Sequence, residues 1–390
     1  MKKLKDLYLR LCMTALFSKV TEKPVFSHFE RVVREEAREE KIKAYAAFVG
    51  EIYSSRLSLS ELVKKYVFED ENVYIKSAAH ELAISPSVIS ALKTELSALS
   101  DFASLCVDDF VRALEIDTLL PFDSEKTDIY LEYRDRVKNV SRYGYGIFSA
   151  SPMFRLTDAG TIEPIMSADK TTVDKFIGYK EEREAVLRNT EAFVEGRPAA
   201  NTLLCGDAGT GKSSTVKAIA NHFFDRGIRL IELRKDQLKM LPEVMGKVSE
   251  NPLKFIIFID DLAFNKSDDN FSMLKAALEG SASAKADNAV IYATSNRRHI
   301  IKESFSDRDG DDVHRNDSMQ ETLSLSERFG LVVSFTKPNK QLYLEIVHAL
   351  AERFEISIPA SELDVRAEAF ALKKGSRSAR CAEQFIDSLL

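Results

Sequence analysis

The run Gly206-Asp207-Ala208-Gly209-Thr210-Gly211-Lys212-Ser213 spaces its glycines so that the backbone can curl its N–H groups around an anion. A helix beginning at its end adds a positive N-terminus to the same anion. Lys212 is then placed to reach the β- and γ-phosphates of a nucleotide, the Ser213 hydroxyl to bind Mg²⁺, and Ser214 to continue the cradle into the helix. Average residue usage yields this pattern in a chain of such length on the order of once in a hundred, so a plain glycine-rich turn is the weaker account. The run also follows the apolar segment Thr202-Cys205 and precedes a helical pattern over 214–223, the setting a phosphate loop requires.

Further along, Phe255-Ile256-Ile257-Phe258-Ile259 is an unbroken apolar strand ending in Asp260 and Asp261. Two adjacent acids at the end of a buried strand repel one another unless a cation offsets them. Asp260 is therefore expected to hold Mg²⁺, directly or through water, and Asp261 to polarise the attacking water. The apolar run Val290 to Thr294 leads into Ser295 and Asn296, whose amide can orient that water toward the γ-phosphate. Asn265-Lys266-Ser267-Asp268 matches the guanine-reading pattern of GTPases, yet it follows the acidic strand within one turn instead of a much later strand. ATP, not GTP, is the expected nucleotide.

Holding these groups together takes a parallel sheet with helices on its faces, and the alternating pattern after residue 169 supplies it. Short apolar runs at Thr202-Cys205, Arg229-Leu233, Phe255-Ile259, Val290-Thr294 and Leu331-Phe335 predict its strands. The expected architecture is an α/β core with a five-stranded parallel sheet over 170–337, a helical lid over 338–390 and an all-α N-terminal domain over 1–140. Residues 141–169 carry turn chemistry around Gly144, Gly146 and Gly160 and read as a linker, with Tyr143-Gly144-Tyr145-Gly146 as a strand turn. In the N-terminal part, Ser85-Pro86 is a helix start, and Val88, Leu92, Leu96, Leu99 and Cys106 recur at the spacing of one buried face. The charged stretch 30–43 reads as a solvated helix face.

Composition excludes several classes. Hydrophobic residues at 45% and charged residues at 30% are those of a globular chain. No stretch reaches the roughly 18 uncharged apolar residues of a membrane span, and Asp6 and Arg10 break the apolar run over 1–20 into an amphipathic helix. Cys12, Cys106, Cys205 and Cys381 form no CxxC pair, so neither a disulfide framework nor a zinc cage is expected, and a cytoplasmic, reducing setting fits. A net charge of -6 advertises no large nucleic-acid face.

In order along the chain, the phosphate loop, the acidic strand, Asn296, Leu325-Ser326-Glu327-Arg328-Phe329-Gly330 and Gly375-Ser376-Arg377 resemble the AAA+ ATPases. The chain is most similar to a little-characterised bacterial family of predicted AAA+ ATP-binding proteins, a domain of unknown function. The residues carrying that resemblance are FIIFIDDLAF (255–264), ATSNRRHI (293–300), the acidic run SDRDGDDVHRND (306–317), LSLSERFG (323–330) and GSRSAR (375–380). The resemblance implies that Asn296 is a first sensor, Arg328 an arginine finger delivered to a neighbouring subunit, and Arg377 a second sensor reaching from the lid. It further implies that Ile177 and Gly178, within Phe176-Ile177-Gly178-Tyr179, pack against adenine, and that the chain forms an ATP-dependent homo-oligomer. Two departures stand out: Asp261 replaces the commoner Glu, and no aromatic-hydrophobic-Gly pore loop is clear between Arg229 and Lys254, where Val244-Met245-Gly246 comes nearest.

The expected function is an Mg²⁺-dependent ATPase that turns ATP into ADP and phosphate and acts as a conformational switch or remodelling machine on a client met through the N-terminal domain. A non-hydrolysing ATP-binding adaptor and a P-loop small-molecule kinase are the alternatives. The acidic segment 304–317 reads as a loop or, just ahead of Arg328, as a contact that adjusts the finger between subunits, and Arg297, Arg298, His299 and Lys302 as phosphate charge balance or a small nucleic-acid contact, the former favoured.

Overall fold

The computed structural model describes residues 1–166, 171–262, 269–278, 286–296 and 328–390, with the side chains of 269–272 excepted. The acidic run 306–317, the basic residues 297–302, the GTPase-like tetrapeptide 265–268 and residues 323–327 lie outside them. The chain divides into two units, Met1–Ala150 and Ser151–Leu390. Among the described residues no helix is long and apolar enough to cross a membrane.

The first unit is helical. Its core gathers Phe26, Phe29, Phe48, Phe102 and Phe110, with Phe26 and Phe102 stacked at 4.3 Å between ring centroids. Ser85 caps the helix Pro86–Ala103, whose buried face includes Leu92, Leu96 and Leu99. Cys106 departs from that face: it lies beyond the helix end and is exposed. The N-terminal helix is shorter than the 20-residue pattern, running from Lys2 to Leu11 with Leu4, Leu7 and Leu11 buried. The buried Glu95 carboxylate accepts the backbone N–H groups of Leu16 and Phe17 at 2.9 and 3.0 Å, answering donors that the break after that helix leaves over. Tyr145 belongs to this core, and Gly146 opens a short 3₁₀ turn, so the Gly-Tyr-Gly element is not a strand turn.

The second unit is built on one mostly parallel sheet of seven strands: β1 (Met153–Leu156), β2 (Ile162–Pro164), β3 (Thr202–Gly206), β4 (Ile228–Leu233), β5 (Lys254–Ile259), β6 (Ala289–Ser295) and β7 (Leu331–Phe335). Their order is β2-β1-β4-β5-β6-β3-β7. The expectation of five strands is thus corrected. The two additional strands come from the stretch read as a linker, where β1 pairs parallel with β4 and antiparallel with β2. Strands of three and four residues are too short to show periodicity, and the turn at Asp158-Ala159-Gly160 is the hairpin between them, with Gly160 at φ 76°. The other five strands lie within a residue of their predicted bounds: β3 to β6 are buried on both faces and read as nearly continuous apolar runs, and the edge strand β7 reads as a short apolar run although Val332 and Ser334 are exposed.

One face of the sheet packs Leu204, Ile256, Phe258 and Val333 against Val216 and Ile219 of the helix Lys212–His222. Strand β6 is pinned at mid-length, where the Tyr292 hydroxyl meets Thr190 Oγ1 at 2.7 Å and accepts from Asn189 Nδ2 at 3.1 Å. After β7, the helices Lys340–Arg353, Ala360–Lys374 and Ala379–Asp387 enclose a core of their own around Tyr343, Val347, Leu363 and Phe385. Val244 and Met245 are buried in the helix Leu241–Ser249, so the Val-Met-Gly triplet presents no pore element.

At the junction of β3 and β7 the backbones approach closely: a Cβ on Gly206 (φ 131°) would lie 2.0 Å from the Phe335 carbonyl oxygen. Gly206→Ala must push β7 away from β3, and a loss of roughly 3 kcal/mol or more is expected. Urea unfolding of the full chain checks it, and a midpoint equal to wild type would contradict the close approach.

Candidate functional site

The phosphate loop leaves the C-terminal end of β3 at the sheet's order reversal, where ligands of parallel α/β sheets collect. Gly209 and Gly211 adopt φ 75° and 89°, turning the chain so that the helix Lys212–His222 starts beneath it. Thr210 Oγ1 donates to the Asp207 carbonyl at 2.9 Å and closes the loop. Ala208 is exposed at its crest, and Ser214 sits half-buried in the first turn of the helix.

Lys212 is buried, at 6% exposure. Its ammonium donates to the carbonyls of Gly206 (2.9 Å) and Asp207 (2.7 Å) and to Asn296 Oδ1 (3.1 Å). Among the described residues it forms no ion pair. Burial pushes its pKa below the ordinary lysine value, opposed by the more distant Asp207 and Asp260. A buried cation resting on neutral oxygens is what an incoming polyanion satisfies.

Opposite stand the acids at the end of β5. Asp260 Oδ1 accepts from Ser213 Oγ at 2.6 Å and from Thr294 Oγ1 at 2.5 Å. Asp261 lies in the left-handed region at φ 53°, a conformation that costs a non-glycine residue roughly 1–2 kcal/mol. Its N–H holds it there by donating to Thr294 Oγ1 at 3.0 Å and to Asp260 Oδ1 at 3.2 Å. Asn296 Nδ2 donates to Asp261 Oδ1 at 2.7 Å while its Oδ1 accepts from Lys212, so only one orientation of the amide serves both neighbours. Asn296 therefore joins the lysine to the second aspartate.

The donor set fits Mg²⁺ with a triphosphate. Ser213 and Asp260 are hard oxygen donors in contact, and the described residues contain no group of three or more His, Cys, Asp or Glu side chains able to hold a metal. A cation held here would be completed by phosphate oxygens and water, the usual manner of Mg²⁺.

Ile177 packs against the C-terminal helices, and a Cβ on Gly178 (φ 70°) would meet Leu342 Cδ1 at 2.7 Å. Tyr179 OH donates to the Thr336 carbonyl at 2.6 Å, and Asp207 Oδ2 accepts the Lys337 N–H at 2.9 Å. Adjacent residues after β7 thus link the 177–179 segment to the phosphate loop.

The two arginines are not brought to this point. Arg328 is half-buried just ahead of β7, at the sheet edge opposite the loop, since Leu331 pairs with Thr202 while Phe335 pairs with Gly206. Four residues of strand separate the two edges by about 13 Å. Arg377 is bound to Glu368 by bonds of 2.9 and 2.7 Å, which hold its pKa above the ordinary value. Among the described C-terminal residues, Arg380 reaches the loop through its backbone N–H, which donates to the Gly209 carbonyl at 3.2 Å, and Ser378 also lies beside Gly209. Sequence reasoning missed this contact and missed Thr294, whose only signal was a hydroxyl one residue before the strand's polar end.

A phosphate loop on one strand, paired acids on the next strand but one, and an amide on the strand between them define a P-loop ATP-binding protein of the AAA+ class. Within that class, the chain belongs to the family described as "Protein of unknown function (DUF815)", whose family model matches residues 149–390. It is similar to "Chaperone protein ClpB 2" of Parasynechococcus marenigrum (strain WH8102), 26% identical over 212 residues, which is 48% of this chain and 21% of that protein. The chain thus spans about a fifth of that relative's length. Solved structures with likeness include the RuvB Holliday junction branch migration motor of Thermotoga maritima, at 15% identity over 57% of this chain and 72% of that one, with a TM-score of 0.34.

Replacing Lys212 by Ala is expected to cut nucleotide affinity by about 100-fold, the worth of a charge-assisted contact at a buried site. Asp261→Asn, which leaves the loop intact, should bind as wild type. Titration with a fluorescent ATP analogue separates the two, and equal affinity of wild type and Lys212→Ala would remove the site from this loop.

Proposed function

We propose that the protein is an Mg²⁺-dependent ATPase that converts ATP to ADP and phosphate and uses the cycle as a conformational switch on a client. The observation that carries the reading is the Asn296 amide, which holds Lys212 on one side and Asp261 on the other. It sets the group that grips the terminal phosphate at a fixed offset from the carboxylate that receives a proton from water. Bound Mg²⁺ supplies neutralisation of the phosphate oxygens. Asp260 and Ser213 hold their oxygens together for it, Lys212 gives up its carbonyl contacts for phosphate, and Asp261 keeps one oxygen for water while Asn296 occupies the other. The shorter Asp at 261 in place of Glu favours slow turnover.

Subunit assembly is part of the proposal. Arg328 lies far from its own chain's phosphate loop, which supports a role toward a neighbouring copy. The helices over 340–387 are assigned as a lid, because they touch the loop through Arg380 and the base-side segment through Leu342. Arg377 serves as second sensor only after leaving Glu368. The helical domain over 1–140 is assigned to the client. Burial of Val244 and Met245 argues against peptide threading at that position.

Single-turnover hydrolysis at saturating protein tests the reading against a non-hydrolysing adaptor: wild type should release phosphate, and Asp261→Asn should lose at least about 100-fold in rate. Bound ATP that stays intact in wild type would leave the adaptor standing. Arg328→Ala is expected to bind ATP and fail to hydrolyse it, and mixing it with Asp261→Asn subunits should restore part of the activity. Absence of recovery at every mixing ratio would refute delivery of Arg328 between subunits.

A further inference from the structure

We propose that Thr294 is the positioning residue of this site, setting Asp260 toward the cation and Asp261 toward water. The inference rests on the nucleotide-site reading above and assigns a role to a side chain that the motif chemistry leaves out. Thr294 is 2% exposed, so its hydroxyl has no recourse to solvent. The hydroxyl has one proton to give, and it goes to Asp260 Oδ1 at 2.5 Å. One lone pair accepts the Asp261 N–H at 3.0 Å. The backbone of the same residue closes the other side of the turn, its carbonyl accepting the Leu262 N–H at 2.7 Å. A single residue thereby clamps both ends of the left-handed step at Asp261.

The consequence for Asp260 is selective. Its Oδ1 receives donors from Ser213, Thr294 and the Asp261 backbone, whereas Oδ2 receives none among the described residues. The carboxylate is therefore held by one oxygen with the other left to a ligand. Ser213 would meet the cation through an oxygen lone pair, and its proton can stay on Oδ1. Thr294 stands outside that coordination, so together with Ser213 it would preserve the carboxylate's orientation as the cation is loaded. Groups of this kind, one bond removed from a metal, alter its affinity by about 10- to 100-fold when lost.

Valine is the test because it keeps the shape of threonine and removes only the hydroxyl. In the full chain, a fluorescent ATP analogue is titrated first in EDTA and then with rising Mg²⁺, reading the metal concentration that gives half of the metal-dependent gain in affinity. Thr294→Val should raise that concentration about tenfold or more, with affinity in EDTA unchanged because the phosphate loop is untouched. Thr294→Ser should return it to within about threefold of wild type, since the hydroxyl and not the methyl group carries the effect. If the valine variant does not fold, Thr294→Ala and Thr294→Ser carry the same comparison. A valine or alanine variant matching a metal-responsive wild type overturns the role of Thr294 alone, as does a serine variant shifted as far as either. A wild type without any metal-dependent gain overturns the nucleotide-site reading and this inference with it.

Discussion

The insertion of β6 between β3 and β5 is the constraint on which the rest of the site depends. Leu204 and Cys205 of β3 pair with Thr294 and Ser295, while Ile259 of β5 pairs with Ala293. One step past the last β5 pair, Asp260 comes level with Thr294, and one step past the last β3 pair, Gly206 comes level with Asn296. Residues two apart point to the same side of a strand, so Thr294 and Asn296 address acids and phosphate loop from one face. A slip of a single residue would present Ala293 and Ser295 there instead, which is why the anchoring of β6 through Tyr292 matters to groups well beyond it.

Electrostatics sharpen what the register provides. Lys212 and the two aspartates share a small volume, yet the lysine rests on carbonyls and an amide instead of pairing directly with a carboxylate. Direct pairing would quench the positive charge of the lysine and the negative charge of the acids. The interposed Asn296 prevents that collapse, donating to the acid and accepting from the base with the two ends of one planar group. The shifted Lys212 pKa records the cost: burial works against the charge, and the loop's oxygens only partly replace water.

Contacts between the phosphate loop and the segments after β7 run largely through backbone. Phe335 accepts the Asp207 N–H, Lys337 gives its N–H to the Asp207 carboxylate, and Arg380 gives its N–H to Gly209. The loop is thus tied both to the exit from the sheet and to the first turn of the last helix, capped by Ser378. Any rearrangement of the loop around phosphate is felt at these ties, and the left-handed glycines make such rearrangement accessible.

The phosphate loop, the acidic strand end, the amide of Asn296 and five of the strands were legible in the chain itself, because each is local: a short run of residue types at fixed spacing with one mechanical purpose. The strands β1 and β2 were hidden, since pieces that short take their conformation from a neighbouring strand and not from their own pattern. Partnerships between distant residues were equally out of reach. Nothing in the order of residues says that Arg377 meets Glu368, that Arg380 touches Gly209, or that Thr294 spans Asp260 and Asp261. Those are decided by sheet register and helix packing, which bring together groups separated by tens to hundreds of residues. Sequence determined which chemical groups this protein owns, and only the tertiary structure determined which of them share a hydrogen bond, because that depends on distances that the folded backbone alone sets.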